Sequence, residues 1–123
     1  VVLNVIYEQD YLLRSIAQLI RFLAKIVFGK DTVTYELSED EAYKESDNLH
    51  KALVALLSDG KINEAENLLF DEFKSEDNRH MMVALDFYRR LNDFGDEFLR
   101  DHDFSREEIE EGLREIASKA RIV

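Results

Sequence analysis

Two Asp-x-x-His pairs, Asp47 with His50 and Asp77 with His80, are the residues of this chain best spaced for chemistry. Side chains three positions apart share one helix face, and carboxylate-histidine pairs on facing helices can hold metal ions. A di-iron bundle, however, uses Glu-x-x-His twice with inward glutamates on two further helices, and both aspartates here stand where helix caps are expected. The expected role is capping, with no metal and no cofactor. Asp101, Asp103 and Ser105 imitate the opening of a calcium loop, but Arg106 replaces its turn glycine and Gly112 its closing glutamate. Ser105 and Glu108 read instead as a capping box. Asp93, Phe94 and Gly95 spell a kinase tripeptide without the glycine-rich loop, paired lysine or catalytic loop that would give it meaning. Four dispersed glycines build no phosphate cradle. Carboxylates for general acid-base work abound, yet most fall in first turns or on exposed faces such as Glu107, Glu108, Glu110 and Glu111, and no pair stands out. The expectation is a protein that is not an enzyme.

Composition narrows the class further. Acidic side chains number 27 against 16 basic ones, and a net charge of -11 repels phosphate backbones, so no nucleic-acid partner is expected. Cysteine is absent, which removes disulfides, thiol nucleophiles and Cys-based metal sites, and is compatible with a reducing, cytoplasmic setting. Apolar runs in the first helix stop after three residues, too short for a transmembrane segment or a secretory signal core. The chain opens on Val1 rather than methionine, which leaves room for an upstream segment.

The elements that must position these residues read as helices. From near Asn4 to Phe28 the pattern is helical, and Gly29 supplies the left-handed residue that commonly follows a helix end. Within Tyr11 to Phe28 the polar positions Arg14, Ser15, Gln18, Arg21 and Lys25 occupy roughly 120° of the helix circumference, leaving about 240° mostly apolar. One packed face needs less than half of that. The helix must be enclosed on several sides or share its surplus with another molecule. Its bulky flank, Tyr11, Leu19, Phe22 and Ile26, is expected to be intramolecular core for the most part, with an interaction surface as the other reading; Ala17 and Ala24 on the other flank suit a close helix neighbour.

Val33, Tyr35 and Leu37 alternate with polar residues, which reads as an extended linker lying along the helices, with a strand paired across a dimer as the alternative. Ser38 and Glu41 form a capping box that starts the second helix at Glu39, unless Asp47 caps a separate piece. Leu49, Ala52, Leu53, Leu56 and Leu57 give it one buried face, and Asp59 and Gly60 end it. Asn63 with Glu66 caps a third helix carrying Ala65, Leu68, Leu69 and Phe73. After a break at 75–78, a fourth helix runs from Arg79 toward Arg100 with Met81, Ala84, Leu85, Tyr88, Leu91 and Phe98 inward and a bend or a close helix crossing at Gly95. Ile109, Gly112, Leu113, Ile116, Ala117 and Ala120 form the inner stripe of the last helix.

The segment from Leu49 to Phe73 resembles a tetratricopeptide-type hairpin, with Gly60, Ile62, Ala65 and Leu69 at the family's turn glycine, first aromatic, packing alanine and second aromatic. Leu53, Glu72 and Asp77 depart from that pattern, so the resemblance implies hairpin architecture and no peptide groove. The chain as a whole is similar to a family of small, functionally uncharacterised helical proteins from Gram-positive bacteria. Glu8 to Lys30 carries most of that similarity and the Gly60 hairpin the rest. The resemblance implies a tetratricopeptide-like fold and a cytoplasmic protein, and transfers no catalytic residue.

The expectation is thus one all-α domain over 1–123: a long apolar helix at 1–29, an extended linker at 30–38, and helical hairpins at 39–123. It has five helices, or six if one is split, with the hairpins packed around the N-terminal helix. Its expected role is a non-enzymatic protein-interaction module, self-associating through the first helix or binding a partner helix. The alternative is a carrier of a small apolar ligand, suggested by eight phenylalanines and the adjacent Met81 and Met82. A third reading lays the first helix on membrane surfaces through its cationic margin, against the opposition of the acidic remainder.

Overall fold

In the computed structural model the described residues are 2–31 and 33–122, with side chains from Glu8 onward; Val1, Thr32, Val123 and the side chains of 2–7 lie outside them. Six α-helices follow in chain order among the described residues: α1 Val2–Phe28, α2 Lys44–Ser58, α3 Ile62–Glu72, α4 Asn78–Asp93, α5 Asp96–Asp101 and α6 Arg106–Lys119. A single 3-10 turn, Glu41–Tyr43, precedes α2. The fold is all-α.

Helix ends follow local chemistry. Gly29 takes a φ of 72° and its amide donates to the Lys25 carbonyl, closing α1. Gly60, at φ 75°, ends α2 in a turn where the amides of Gly60 and Lys61 donate back to the carbonyls of Leu57 and Leu56. That turn folds α3 back against α2 as a hairpin. Asp103, at φ 55°, ends α5 the same way: the Phe104 amide reaches the Leu99 carbonyl, and both side chains are buried together. Ser105 then caps α6 in a full capping box with Glu108. The calcium-like trio is therefore a helix stop followed by a helix start.

Several expected boundaries shift for identifiable reasons. Ser38 and Glu41 do not cap α2. Asp40 caps the 3-10 turn, the Ser38 hydroxyl accepts from the Asp40 amide, and α2 begins at Lys44. Asn63 does not cap α3, which starts at Ile62; its amide group donates instead to the Asp103 carbonyl. The fourth helix is broken rather than bent. The buried Arg106 guanidinium takes the carbonyls of Asn92 and Phe94 and the Asn92 side-chain oxygen, at 2.7–3.0 Å, and its Nε donates to Asp96 at 2.9 Å. With those carbonyls satisfied from outside, the chain restarts as α5 at Asp96, and this supplies the sixth helix. Phe98 consequently does not point inward. It is 36% exposed and stacks between Phe94 and His102.

The hub is α4, which packs against α1, α2 and α6, whereas α1 touches α4 and α6 and α3 leans chiefly on α2. The hairpins therefore do not wrap α1; α1 lies along one side of α4 and α6. Its buried residues among those described are Ile16, Ile20, Leu23 and Ala24, so Ala24 marks the close approach its size suggested. The segment after α1 is extended and forms no strand among the described residues, with Val33 and Tyr35 buried against the helices.

Candidate functional site

The bulky flank of α1 lies outside the core. Tyr11 is 67%, Phe22 54% and Ile26 53% exposed, while Leu19 is partly buried and packs against the core from its edge. The reason is geometric. Neighbours α4 and α6 cover the arc centred on Ile16, Ile20 and Leu23, and among the described residues no other element packs over the opposite margin. Beside the apolar strip run the exposed cations Arg14, Arg21 and Lys25, none of which joins an ion pair among the described residues. An aromatic-aliphatic strip with a basic border stands out on a chain of net charge -11.

The two Asp-x-x-His pairs are not brought together, and each is absorbed by other partners. Asp47 does not cap; it sits buried inside α2, where it accepts from the Tyr35 hydroxyl, from the Ser38 amide at 3.1 Å and from Arg79 Nη2 at 2.9 Å. Burial pushes its carboxyl up, but those three donors outweigh it and hold Asp47 below its ordinary value. Burial and the Asp47 hydrogen bond raise Tyr35. Arg79 also stacks on the rings of Tyr35 and Tyr43, 4.6 and 4.4 Å from their centroids. His50 faces Asp86 at 3.6 Å, and its burial lowers its basicity in spite of that carboxylate.

Asp77 does cap, accepting from the Arg79 amide at 2.8 Å. His80, fully buried, accepts from the Lys74 amide on Nδ1 at 3.2 Å, which leaves its proton on Nε2. That nitrogen points toward Glu45 and Asp77, 3.7 and 3.8 Å away, and cannot offer a lone pair to a metal while the Lys74 bond stands. No group of three or more His, Cys, Asp or Glu among the described residues is placed to hold a metal ion.

Asp86, which the sequence reading passed over, is the second anchor of the linker. It is buried in α4 and accepts from the Tyr35 amide at 3.2 Å, from Arg89 at 3.1 Å and from Arg90 Nε at 2.7 Å. Asp47, Asp86 and Arg79 together pin Tyr35, and with it the linker, across α2 and α4. The local signal for Asp86 is the pair of arginines three and four positions on, Arg89 and Arg90, which share its helix face. A third buried contact joins α3, α4 and α6: the Tyr88 hydroxyl donates to Glu66 at 2.7 Å over Gly112, where an added Cβ would meet both groups.

No helix among the described residues is long and apolar enough to cross a membrane. No curated protein and no solved structure matches the chain. The sequence pattern of a family of unknown function, DUF6483, matches residues 6–121, and the chain belongs to that family.

Proposed function

We propose that this protein is a non-enzymatic helical interaction module that offers the outer face of α1 to a helix of another polypeptide. The single observation that carries the reading is the exposure of Tyr11, Phe22 and Ile26 in one line along a helix that buries Ile16, Ile20, Leu23 and Ala24 on its other side. Support also comes from the fate of the buried polar groups. Tyr35, Asp47 and Arg79 bond one another, Asp86 holds Arg89, Arg90 and the Tyr35 amide, and Arg106 holds Asp96, Asn92 and the Phe94 carbonyl, which suits a scaffold role for them. The glycine-turned hairpin of α2 and α3, with its tetratricopeptide-like spacing, fits the same kind of protein, and a cytoplasmic setting belongs to the proposal.

The carrier reading has less behind it. Met81 and Phe87 sit in the closed core, and the groove between α2 and α4, about 440 Å³, is open to solvent and bordered by Arg89, Arg90 and Asp93. Hydroxyl-radical footprinting tests the interaction reading. In an extract of cells that make the chain naturally, Tyr11 and Phe22 are expected to label several-fold less than in the dilute purified protein. Equal labelling in both would remove the proposal.

A further inference from the structure

The exposed strip has a second regularity. Half-buried Leu12, Ser15 and Leu19 and exposed Phe22 and Ile26 follow one another at steps of three and four, the spacing of a coiled-coil seam, within about 80° of the helix circumference and along about 21 Å of its axis. The two borders of this seam differ in charge. One is the cationic row Arg14, Arg21 and Lys25. On the other stands α6, packed against α1 and tied to it where Gln9 donates to Glu107 at 3.3 Å. It exposes Glu107, Glu111 and Glu115, the last two toward Glu66 as well, against Arg114, which pairs with Glu110 at 3.9 Å, and Lys119, which lies over the Phe70 ring.

We infer that the occupant of the seam is α1 of a second copy of this chain, running parallel to the first. This rests on the reading of α1 as an interaction surface. Charge complementarity decides both the partner and the direction. A twofold axis parallel to the paired helices carries the basic border of each copy onto the acidic α6 border of the other. A twofold axis across them would set arginines against arginines and α6 against α6. The parallel arrangement also brings Ser15 opposite Ser15 and Phe22 opposite Phe22, and each α1 then packs between its partner's α1 and α6, a wider contact than one seam provides.

The cysteine-free chain makes the test direct. Sedimentation from micromolar to near-millimolar concentration is expected to show a reversible dimer. Phe22→Asp, at a position already more than half exposed, should keep the monomer folded by circular dichroism and weaken the dimer roughly 100-fold, since each dimer loses the contact twice. Raising salt should weaken association, because opposite charges meet across the borders. Under mild oxidation Ser15→Cys alone should form an intermolecular disulfide. If cross-links form only between Ser15→Cys and Ile26→Cys chains mixed together, or if salt strengthens the dimer, the parallel pairing is wrong. A monomer at every concentration overturns the second copy as occupant. Protection of Tyr11 and Phe22 in the cell extract would then still uphold a different partner, so the two failures are separable.

Discussion

In α4, ten of sixteen residues are buried, a histidine, an aspartate and an asparagine among them, whereas α1 leaves Phe22 and Ile26 more than half exposed. The composition of the two helices would suggest the reverse. From Tyr11 to Phe28, α1 carries only five polar residues, while α4 begins with Asn-Arg-His and ends with Arg-Arg-Leu-Asn-Asp. The difference is the number of neighbours. Helices α1, α2 and α6 cover α4 from three sides, and the linker adds a fourth contact through Tyr35 and Asp86. Its polar residues survive burial because each finds a partner: Asp86 holds two arginines, and Asn92 donates to the Leu13 carbonyl at 2.9 Å. By contrast α1 is covered on one side only. A hydrophobic helix is thus not automatically a central one, and its surplus lies where no neighbouring helix covers it.

The sharpest test of this contrast is a pair of alanine substitutions. Leu85→Ala in α4 should cost about 4 kcal/mol in urea unfolding, from lost burial plus a cavity, whereas Phe22→Ala under monomeric conditions should cost under about 1 kcal/mol. Similar losses at both positions would erase the distinction. Asp86→Ala should cost about 3 kcal/mol, because Arg89, Arg90 and the Tyr35 amide lose one shared acceptor, and hydrogen exchange at the Tyr35 amide should accelerate with it. Unchanged exchange there would mean that the linker is held some other way. Gly112→Ala should cost about 2 kcal/mol, since its methyl meets the Tyr88 hydroxyl and Glu66 together, and thermal unfolding would register it.

The smallest effect is one of pH. Burial raises Glu66 above 4.5, helped by Glu108, Glu115 and Glu111 and only partly offset by the Tyr88 hydrogen bond. The folded chain therefore binds that proton more readily than the unfolded one. Glu66 costs stability as pH rises from about 4.5 through its folded value, and the cost persists at neutrality. Glu66→Gln should be more stable than the parent at neutral pH, by under about 1 kcal/mol after allowing for partial exposure, and the gain should vanish toward pH 4.5. His50 acts in the opposite sense. Its lowered basicity means that stability falls as pH drops from 6.5 through its folded value. A pH-independent gain from Glu66→Gln would show that neither burial nor the acidic neighbours raise Glu66 in the fold.

Much of the scaffold was legible in the residues. The stops at Gly29 and Gly60, the Ser105 capping box, the Asp77 cap and the inner stripe of the last helix all follow from interactions within a few residues. What was misread depended on distant partners. Asp47 has the sequence of a cap, but Tyr35 and Arg79 claim it from 12 and 32 positions away. The helix break at Gly95 needs Arg106, which also reads as an ordinary first-turn residue. The bulky flank of α1 was identifiable as a surplus, yet only its unburied state turns Tyr11, Phe22 and Ile26 into a candidate surface, with Leu19 at its edge.

By itself the amino-acid order determined the class of structure, the helix ends and the amount of apolar circumference on the first helix, because capping, glycine turns and 3.6-residue periodicity act over single turns of chain. Only the tertiary structure decided that α4 rather than α1 takes the centre, that two buried aspartates tie down the linker, and which arc of α1 stays in water. Those outcomes depend on which helices become neighbours. That choice is made by the packing of whole faces against one another, a property no local stretch of sequence contains.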